Sequence, residues 1–213
     1  EQADKANQSK SRFLAAASHD LLQPMHAARL FSTALEQSVR STEDQQTLQQ
    51  LDRALYGAES MLSALLDIAR LEGGTIQPKR QAYSLHDLLN DLELQFKSIA
   101  AQRNIQLSVH DTRFWVDTDP QWMRRIIQNF VSNALRYTAQ GRVVVGVLRS
   151  AQRPNHIRIG VWDTGPGINE QQRVKLFQEF ERCGHTSPWG EQGLGLGLAI
   201  VQRMTSLLDF PVH

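Results

Sequence analysis

His19 stands next to Asp20 and five residues ahead of Pro24 in the segment SHDLLQPM. A carboxylate beside an imidazole can hold one ring nitrogen protonated, which leaves the other nitrogen as a nucleophile. Pro24 lacks an N–H, so the carbonyl of Asp20 loses its helical partner and the helix bends there. A histidine on an outer helical face is ordinarily a solvated residue; the neighbouring acid and the bend set His19 apart. His26 lies two turns further on roughly the same face with no acidic residue beside it, and reads as structural. A second cluster is QNFVSNALRYT. Asn129 and Asn133 are four apart, so their amides share one helical face. Neutral amide oxygens are fair hard ligands for Mg²⁺, which keeps several waters beside phosphate oxygens. Arg136 could reach a phosphate and Tyr137 could pack against a nucleobase. Taken alone, the same pattern also fits a helix with a polar exposed face.

Two glycine-rich segments complete the set. In VWDTGPGI a strand ends in Asp163, expected to be partly buried, where it could accept a hydrogen bond from an exocyclic amine. Gly165 and Gly167 would let the backbone approach a flat ligand closely. In GLGLGL, Gly193, Gly195 and Gly197 recur at every second residue and lead into a helix, whose free N–H groups make an anion site. The pattern is not a dinucleotide fingerprint, because Leu198 stands where the third glycine would be. It is not a P-loop, since no Gly-Lys-Ser/Thr occurs, and the HRD and DFG elements of protein kinases are missing. A different kind of nucleotide site is implied. Residues 169–192 between these segments carry few apolar stripes and turn rich in Gly, Ser and Pro, as suits a mobile lid with Phe177 and Phe180 as its anchors. Cys183 in that stretch is most simply a small neutral filler.

These groups need elements to hold them. Before Gly73-Gly74 the chain is rich in Ala, Leu, Gln, Glu and Arg, all good helix formers. Leu14, Ala17, Leu21, Pro24, Ala28, Phe31 and Leu35 follow steps of three and four, and so do Leu48, Leu51, Leu55, Ala58, Leu62, Leu65 and Ala69. Both are a/d stripes, and with Leu14 at position a, His19 falls at the outer position f. Met61 and Ile68 widen the second stripe, which suits a bundle. SVRSTEDQQ is a turn in which Ser41 or Thr42 can start the second helix. The two helices predict an antiparallel hairpin that buries little alone and is completed by dimerisation into a four-helix bundle. A boundary falls at about residues 73–82. Beyond it the spacing predicts helices over 85–102, 119–137 and 195–208, and strands over 105–110, 114–117, 142–148 and 157–163. Alternating strands and helices imply an α/β sandwich with helices on one face of a sheet. The final DFPVH resembles a turn and the start of a strand, so further strands are expected in a parent protein.

Composition excludes several classes. The net charge is +1, which offers no general electrostatic case for nucleic-acid binding. No apolar run nears the roughly 20 residues of a membrane span, so no membrane contact is expected from this segment. With the single cysteine Cys183 no intrachain disulfide can form, and a reducing, cytoplasmic setting is expected. The N-terminal EQADKANQSKSR lacks the apolar core of a signal peptide and reads as a helix entered from upstream.

In order and spacing, the clusters resemble the histidine kinases of two-component signalling. SHDLLQPM resembles the H box, QNFVSNALRYT the N box, DTGPGI the first G box, FQEF the F box and GLGLGL the second G box. The resemblance covers nearly the whole chain. It implies a dimerisation and histidine-phosphotransfer domain over residues 1–75 and a catalytic ATP-binding domain over 83–213, of the Bergerat fold shared with gyrase and the Hsp90 chaperones and lacking its last strands here. By the same resemblance His19 is the phosphoacceptor and Asp20 the acid that orients or deprotonates it. Asn133 is the Mg²⁺ ligand, with Asn129 facing the phosphates, Arg136 near them and Tyr137 near the adenine. Asp163 accepts from the adenine amine, Gly165 and Gly167 shape the adenine pocket, and Gly193, Gly195 and Gly197 form the phosphate side and lid hinge. The implied cofactors are ATP and Mg²⁺, and the implied partners a second copy of the chain and a response-regulator receiver domain, separate or fused. Two positions depart from the family pattern. Leu22 replaces the usual Arg, and Gln23 the Thr or Asn that positions hydrolytic water, which leaves phosphatase activity open. HDLLQP is the variant of a subgroup rich in hybrid kinases, which favours a fused receiver. A scaffold that no longer hydrolyses ATP is disfavoured by the presence of His19, Asn133, Asp163 and the glycines. A domain-moving ATPase of the same class would not need the hairpin.

Overall fold

A computed structural model describes residues 25–33, 35, 41–72, 77–150, 153, 156–178, 181, 187–189 and 195–212. The chain divides into two compact units, Glu1–Gln77 and Pro78–His213.

The first unit contains α1, helical at residues 25–33 and 35, and α2, Thr42–Glu72. Ser41 opens α2: its hydroxyl accepts from Asp44 N at 3.2 Å and its carbonyl from Gln45 N at 3.0 Å. Leu48 and Ala69 of the second apolar stripe are buried, as is Ile68 beside it, while Leu55, Ala58 and Leu62 are half-buried. Leu51 of that stripe and Phe31 and Leu35 of the first are exposed, at 46%, 71% and 51%. Between the helices Arg29 Nη1 donates to Glu59 Oε2 at 2.8 Å, and His26 Nε2 lies 3.8 Å from Glu59 Oε1. His26 therefore does have an acidic neighbour, supplied across the helix pair at a distance in sequence that the local reading did not span.

The second unit is the α/β layer. Its elements are β1 (Gln81–Ser84), α3 (Leu85–Gln102), β2 (Ile105–Val109), β3 (Trp115–Thr118), α4 (Pro120–Tyr137), β4 (Gly141–Arg149), β5 (Ile157–Asp163), α5 (Glu170–Lys175) and α6 (Gly197–Leu208). β1 and β3 form an antiparallel pair. The main sheet has the order β2-β4-β5, with β2 parallel to β4 and β5 antiparallel to it in the register Val143 opposite Asp163. Alternation along β4 sends Val143 and Val145 into the core. There they meet Leu85, Leu88, Leu89, Leu92 and Phe96 of α3 and Met123, Ile127, Val131, Ala134 and Leu135 of α4. α3 packs on β2, α4 on β4 and β5, and α6 on α4. α3 and α4 thus cover the Val143 and Val145 face of the sheet. On the opposite face the Trp162 ring lies over Gly160, where a Cβ would come within 2.5 Å of it.

Helix starts follow local chemistry. Ser84 Oγ accepts from Asp87 N at 3.4 Å to begin α3. Asp119 begins α4 ahead of Pro120, its Oδ1 accepting from Gln121 N and Trp122 N at 2.9 and 3.1 Å. The other carboxylate oxygen of Asp119 accepts from Lys79 N at 2.8 Å. Arg80 stacks on Phe210 and donates to the Leu208 carbonyl at 2.6 Å, at the end of α6. The segment entering this unit is thus bonded to both α4 and α6.

Three expectations change. β1 begins within the stretch read as boundary, at Gln81 and Ala82, and is specified by its partner β3, which is distant in sequence. α5 lies within the stretch read as lid; it has no buried residue and announces itself only through the Asn169–Gln172 capping box. At the other end Asp209 caps α6 with φ 59°, and residues 210–212 form no strand.

Candidate nucleotide site

α4 presents the second cluster. Asn129, Asn133, Arg136 and Tyr137 are all half-buried along it. The Asn129 amide nitrogen donates to the Arg125 carbonyl at 2.8 Å, which turns its oxygen outward. Gly197, the first residue of α6, sits directly against that oxygen: a Cβ there would lie 2.5 Å from Asn129 Oδ1. The second glycine-rich segment and the asparagine helix therefore meet at a point where a side chain enters only if the Asn129 amide moves aside. Gly195, two residues earlier, adopts φ 71°, a conformation that favours glycine.

The first glycine-rich segment docks at the C-terminal end of α4. Asp163 Oδ1 accepts from Gly165 N at 2.8 Å, tightening the turn that follows β5. A Cβ on Gly165 would lie 2.7 Å from that oxygen and 3.4 Å from both Thr138 Oγ1 and the Tyr137 carbonyl. Thr138 is fully buried, and its hydroxyl has no hydrogen-bond partner there. Thr164 secures the turn from behind: its hydroxyl accepts from Arg142 N at 3.0 Å and donates to the Gln140 carbonyl at 3.1 Å. Gly141, with φ 113°, leaves room for that hydroxyl.

Asp163 is exposed, against the expectation of partial burial. It is the last residue of β5, opposite Val143, where the sheet ends and the turn opens to solvent. A cavity of about 290 Å³ lined by Arg142, Val144, Trp162, Asp163 and Thr164 adjoins it. The structure thus unites Asn129 with Gly197, and Asp163 and Gly165 with the C-terminal end of α4. His19, Asp20, Gln23, Gly193, Phe180 and Cys183 lie outside the described residues. Gly167 adopts φ 74° in the turn beyond Asp163, and Phe177 is half-buried.

Sequence reading missed Trp189. Its indole Nε1 donates to the Thr138 carbonyl at 3.3 Å, and its ring packs on the core beneath Arg103, whose guanidinium lies 5.5 Å from the ring centre. Ser187 accepts from Trp189 N at 3.2 Å and donates to the Arg136 carbonyl at 3.1 Å. The only sequence signal was a large aromatic in an otherwise polar stretch. Elsewhere on the unit, His86 Nδ1 meets Asp111 Oδ1 at 2.5 Å, tying the start of α3 to the loop after β2. The hydrogen bond and charge of Asp111 raise the His86 pKa above its ordinary value; the same hydrogen bond lowers that of Asp111.

Helices layered on a mixed sheet, with a glycine turn at the end of an asparagine-bearing helix and a glycine-led helix against its middle, are the arrangement of an ATPase domain of the gyrase and Hsp90 class. Comparison agrees: residues 118–212 match the family described as histidine kinase-, DNA gyrase B- and HSP90-like ATPase, and residues 9–74 match the His Kinase A (phospho-acceptor) domain. The chain belongs to the histidine kinases, as the core of a two-component sensor kinase that includes an ATP-binding domain. It is 32% identical over 98% of its length to the virulence sensor protein BvgS of Bordetella pertussis, of which it spans 17%. It is 29% identical over 98% of its length to the autoinducer 2 sensor kinase/phosphatase LuxQ of Vibrio vulnificus, of which it spans 25%. Its fold resembles that of full-length ShkA crystallised with AMPPNP, with a TM-score of 0.73 and 24% identity over 93% of this chain and 41% of that one. Among the described residues no helix is long and apolar enough to cross a membrane.

Proposed function

We propose that this chain carries out ATP-dependent phosphorylation of His19 and passes the phosphoryl group to an aspartate of a response-regulator receiver domain. Residues 83–213 would hold the nucleotide and residues 1–75 the acceptor. The observation that carries the reading is the contact of Gly197 with Asn129, which sets a glycine-led helix N-terminus against an amide oxygen. In this reading Asp163 accepts from the adenine amine, and Gly165 and Gly167 shape the base pocket. Tyr137 packs near the base, Arg136 lies near the phosphates, and Gly193, Gly195 and Gly197 form their other side.

Mg²⁺ fits Asn133, whose half-buried amide would offer a neutral oxygen to an ion that prefers oxygen donors, with Asn129 beside it facing the phosphates. The ion would supply charge neutralisation on the departing diphosphate. Asp20 holds the His19 imidazole, so that the free ring nitrogen attacks the γ-phosphorus in line. An N–P bond forms as the bond to the bridging oxygen breaks, ADP departs, and the ring proton passes to Asp20 or solvent. A second copy of the chain is the proposed partner of the hairpin, whose exposed Phe31, Leu35 and Leu51 offer an apolar face. The test is incubation with labelled ATP and Mg²⁺. Label that is acid-labile, base-stable and absent from His19→Ala supports the reading; absence of such label from the intact chain overturns it.

A further inference from the structure

The last turn of a helix leaves its carbonyls without intrahelical partners. At the end of α4 they are taken up by side chains from two other places. Arg103, just past α3, donates to the Leu135 carbonyl at 3.2 Å. Ser187 donates to the Arg136 carbonyl and Trp189 to the Thr138 carbonyl, at 3.1 and 3.3 Å, both from residues 51 positions later. Ser187 and Trp189 are also bonded to each other, and the Trp189 ring is covered by Arg103. The donors form one assembly around the backbone of residues 135–138.

Gly165 makes its close approach here, at the Tyr137 carbonyl and the Thr138 hydroxyl. A shift of the helix end would move the floor on which the turn after Asp163 rests. It would also turn Arg136 and Tyr137, one helical turn from Asn133. We infer that Ser187 and Trp189 are positioning residues for the nucleotide: they act through the end of α4, by fixing the Arg136 and Thr138 carbonyls on either side of Tyr137, and with them the surface on which Gly165 packs and the stem of the Arg136–Tyr137 pair. This rests on the nucleotide-site reading above and adds a segment that none of its motifs includes. The chemistry is specific. Phenylalanine at 189 would keep the stacking on Arg103 but lose the N–H, and alanine at 187 would lose both of that hydroxyl's bonds.

The experiment uses the whole chain with a fluorescent ATP analogue and Mg²⁺. One net hydrogen bond corresponds to a loss of about 3- to 10-fold in affinity, so Ser187→Ala and Trp189→Phe should each raise the nucleotide Kd by about that factor. Trp189→Ala should raise it further. The KM for ATP should rise in step with Kd while kcat at saturating ATP holds, a split that mere loss of folded protein would not give. Nucleotide should also change tryptophan emission in the intact chain and in Trp115→Phe, and by less in Trp189→Phe, where Trp162 beside Asp163 still reports. Unchanged Kd in Ser187→Ala and Trp189→Phe, or a fall in kcat with KM constant, would overturn the inference. Should Trp189→Ala fail to fold, the other two variants decide. Failure of the intact chain to bind nucleotide would overturn the site reading as well; binding with unaltered variants would overturn this inference alone.

Discussion

Gly197→Ala separates nucleotide affinity from fold stability. The added methyl carbon would lie 2.5 Å from Asn129 Oδ1. Ordinary contact between such atoms is about 3.5 Å, so one of them must yield by about 1 Å. The α6 backbone is held by the buried Ala199, Ile200 and Val201, so the amide is the part that moves. Moving it breaks the 2.8 Å bond to the Arg125 carbonyl, worth about 1 kcal/mol net. Alanine in place of helical glycine returns up to about 1 kcal/mol, so the melting temperature should change by no more than a few degrees. The nucleotide has no such compensation. The displaced oxygen faces the phosphate side of the proposed site, and displacement by about 1 Å costs on the order of 100-fold in transfer. Calorimetric melting should therefore be near that of the intact chain, while nucleotide affinity and phosphorylation fall by about tenfold or more. A variant that melts normally and binds nucleotide normally would refute the placement of Asn129 and Gly197 in the site.

Asn133→Ala should cut Mg²⁺-dependent ATP binding and phosphorylation by about 10- to 100-fold, read by label incorporation. His19→Ala should abolish label while leaving nucleotide binding intact, and His26→Ala should do neither; the reverse result would show the acceptor misassigned. The His86–Asp111 tie should stabilise most in a window of pH. The His86 part is fully present below about pH 6.5 and lost as pH rises through its raised pKa; the Asp111 part is present above about pH 3.8 and lost as pH falls through its lowered one. The melting-temperature difference between the intact chain and His86→Gln should thus peak between those limits and shrink in alkali; a difference that grows above about pH 8 would contradict it. Gln23 is one methylene longer than the asparagine common in the family, so decay of a phosphorylated receiver with ADP should be slow, and rapid decay abolished by Gln23→Ala would show that Gln23 positions water well.

Strong periodicity made α3 and the body of α4 legible, because their buried Leu88, Leu89, Leu92, Ile127 and Val131 repeat at helical spacing. β5 was legible for a different reason, a β-branched run closed by Asp163. α5 was not, since a helix with no buried face carries no apolar period. β1 was hidden because a four-residue strand with one large apolar side chain, Tyr83, is specified by its partner β3. At the site, motif order identified the asparagine helix and both glycine turns. Their contacts were not readable: Gly197 meets Asn129 only once α4 and α6 pack, and Gly165 meets Thr138 only once α4 packs on β5. Trp189 shows the limit most plainly, since its partners are main-chain carbonyls, which every residue has and no sequence marks.

The bond from Lys79 N to Asp119 gives the entering segment a gauge of its own. That amide can trade its proton with solvent only when the carboxylate lets go, and the same carboxylate holds the first N–H groups of α4. Deuterium uptake at Lys79 should keep time with uptake at Gln121 and Trp122, because one side chain is the stopper for all three. A single slow-exchanging amide ahead of β1 thus reports how often the helix beneath the nucleotide frays from its far end.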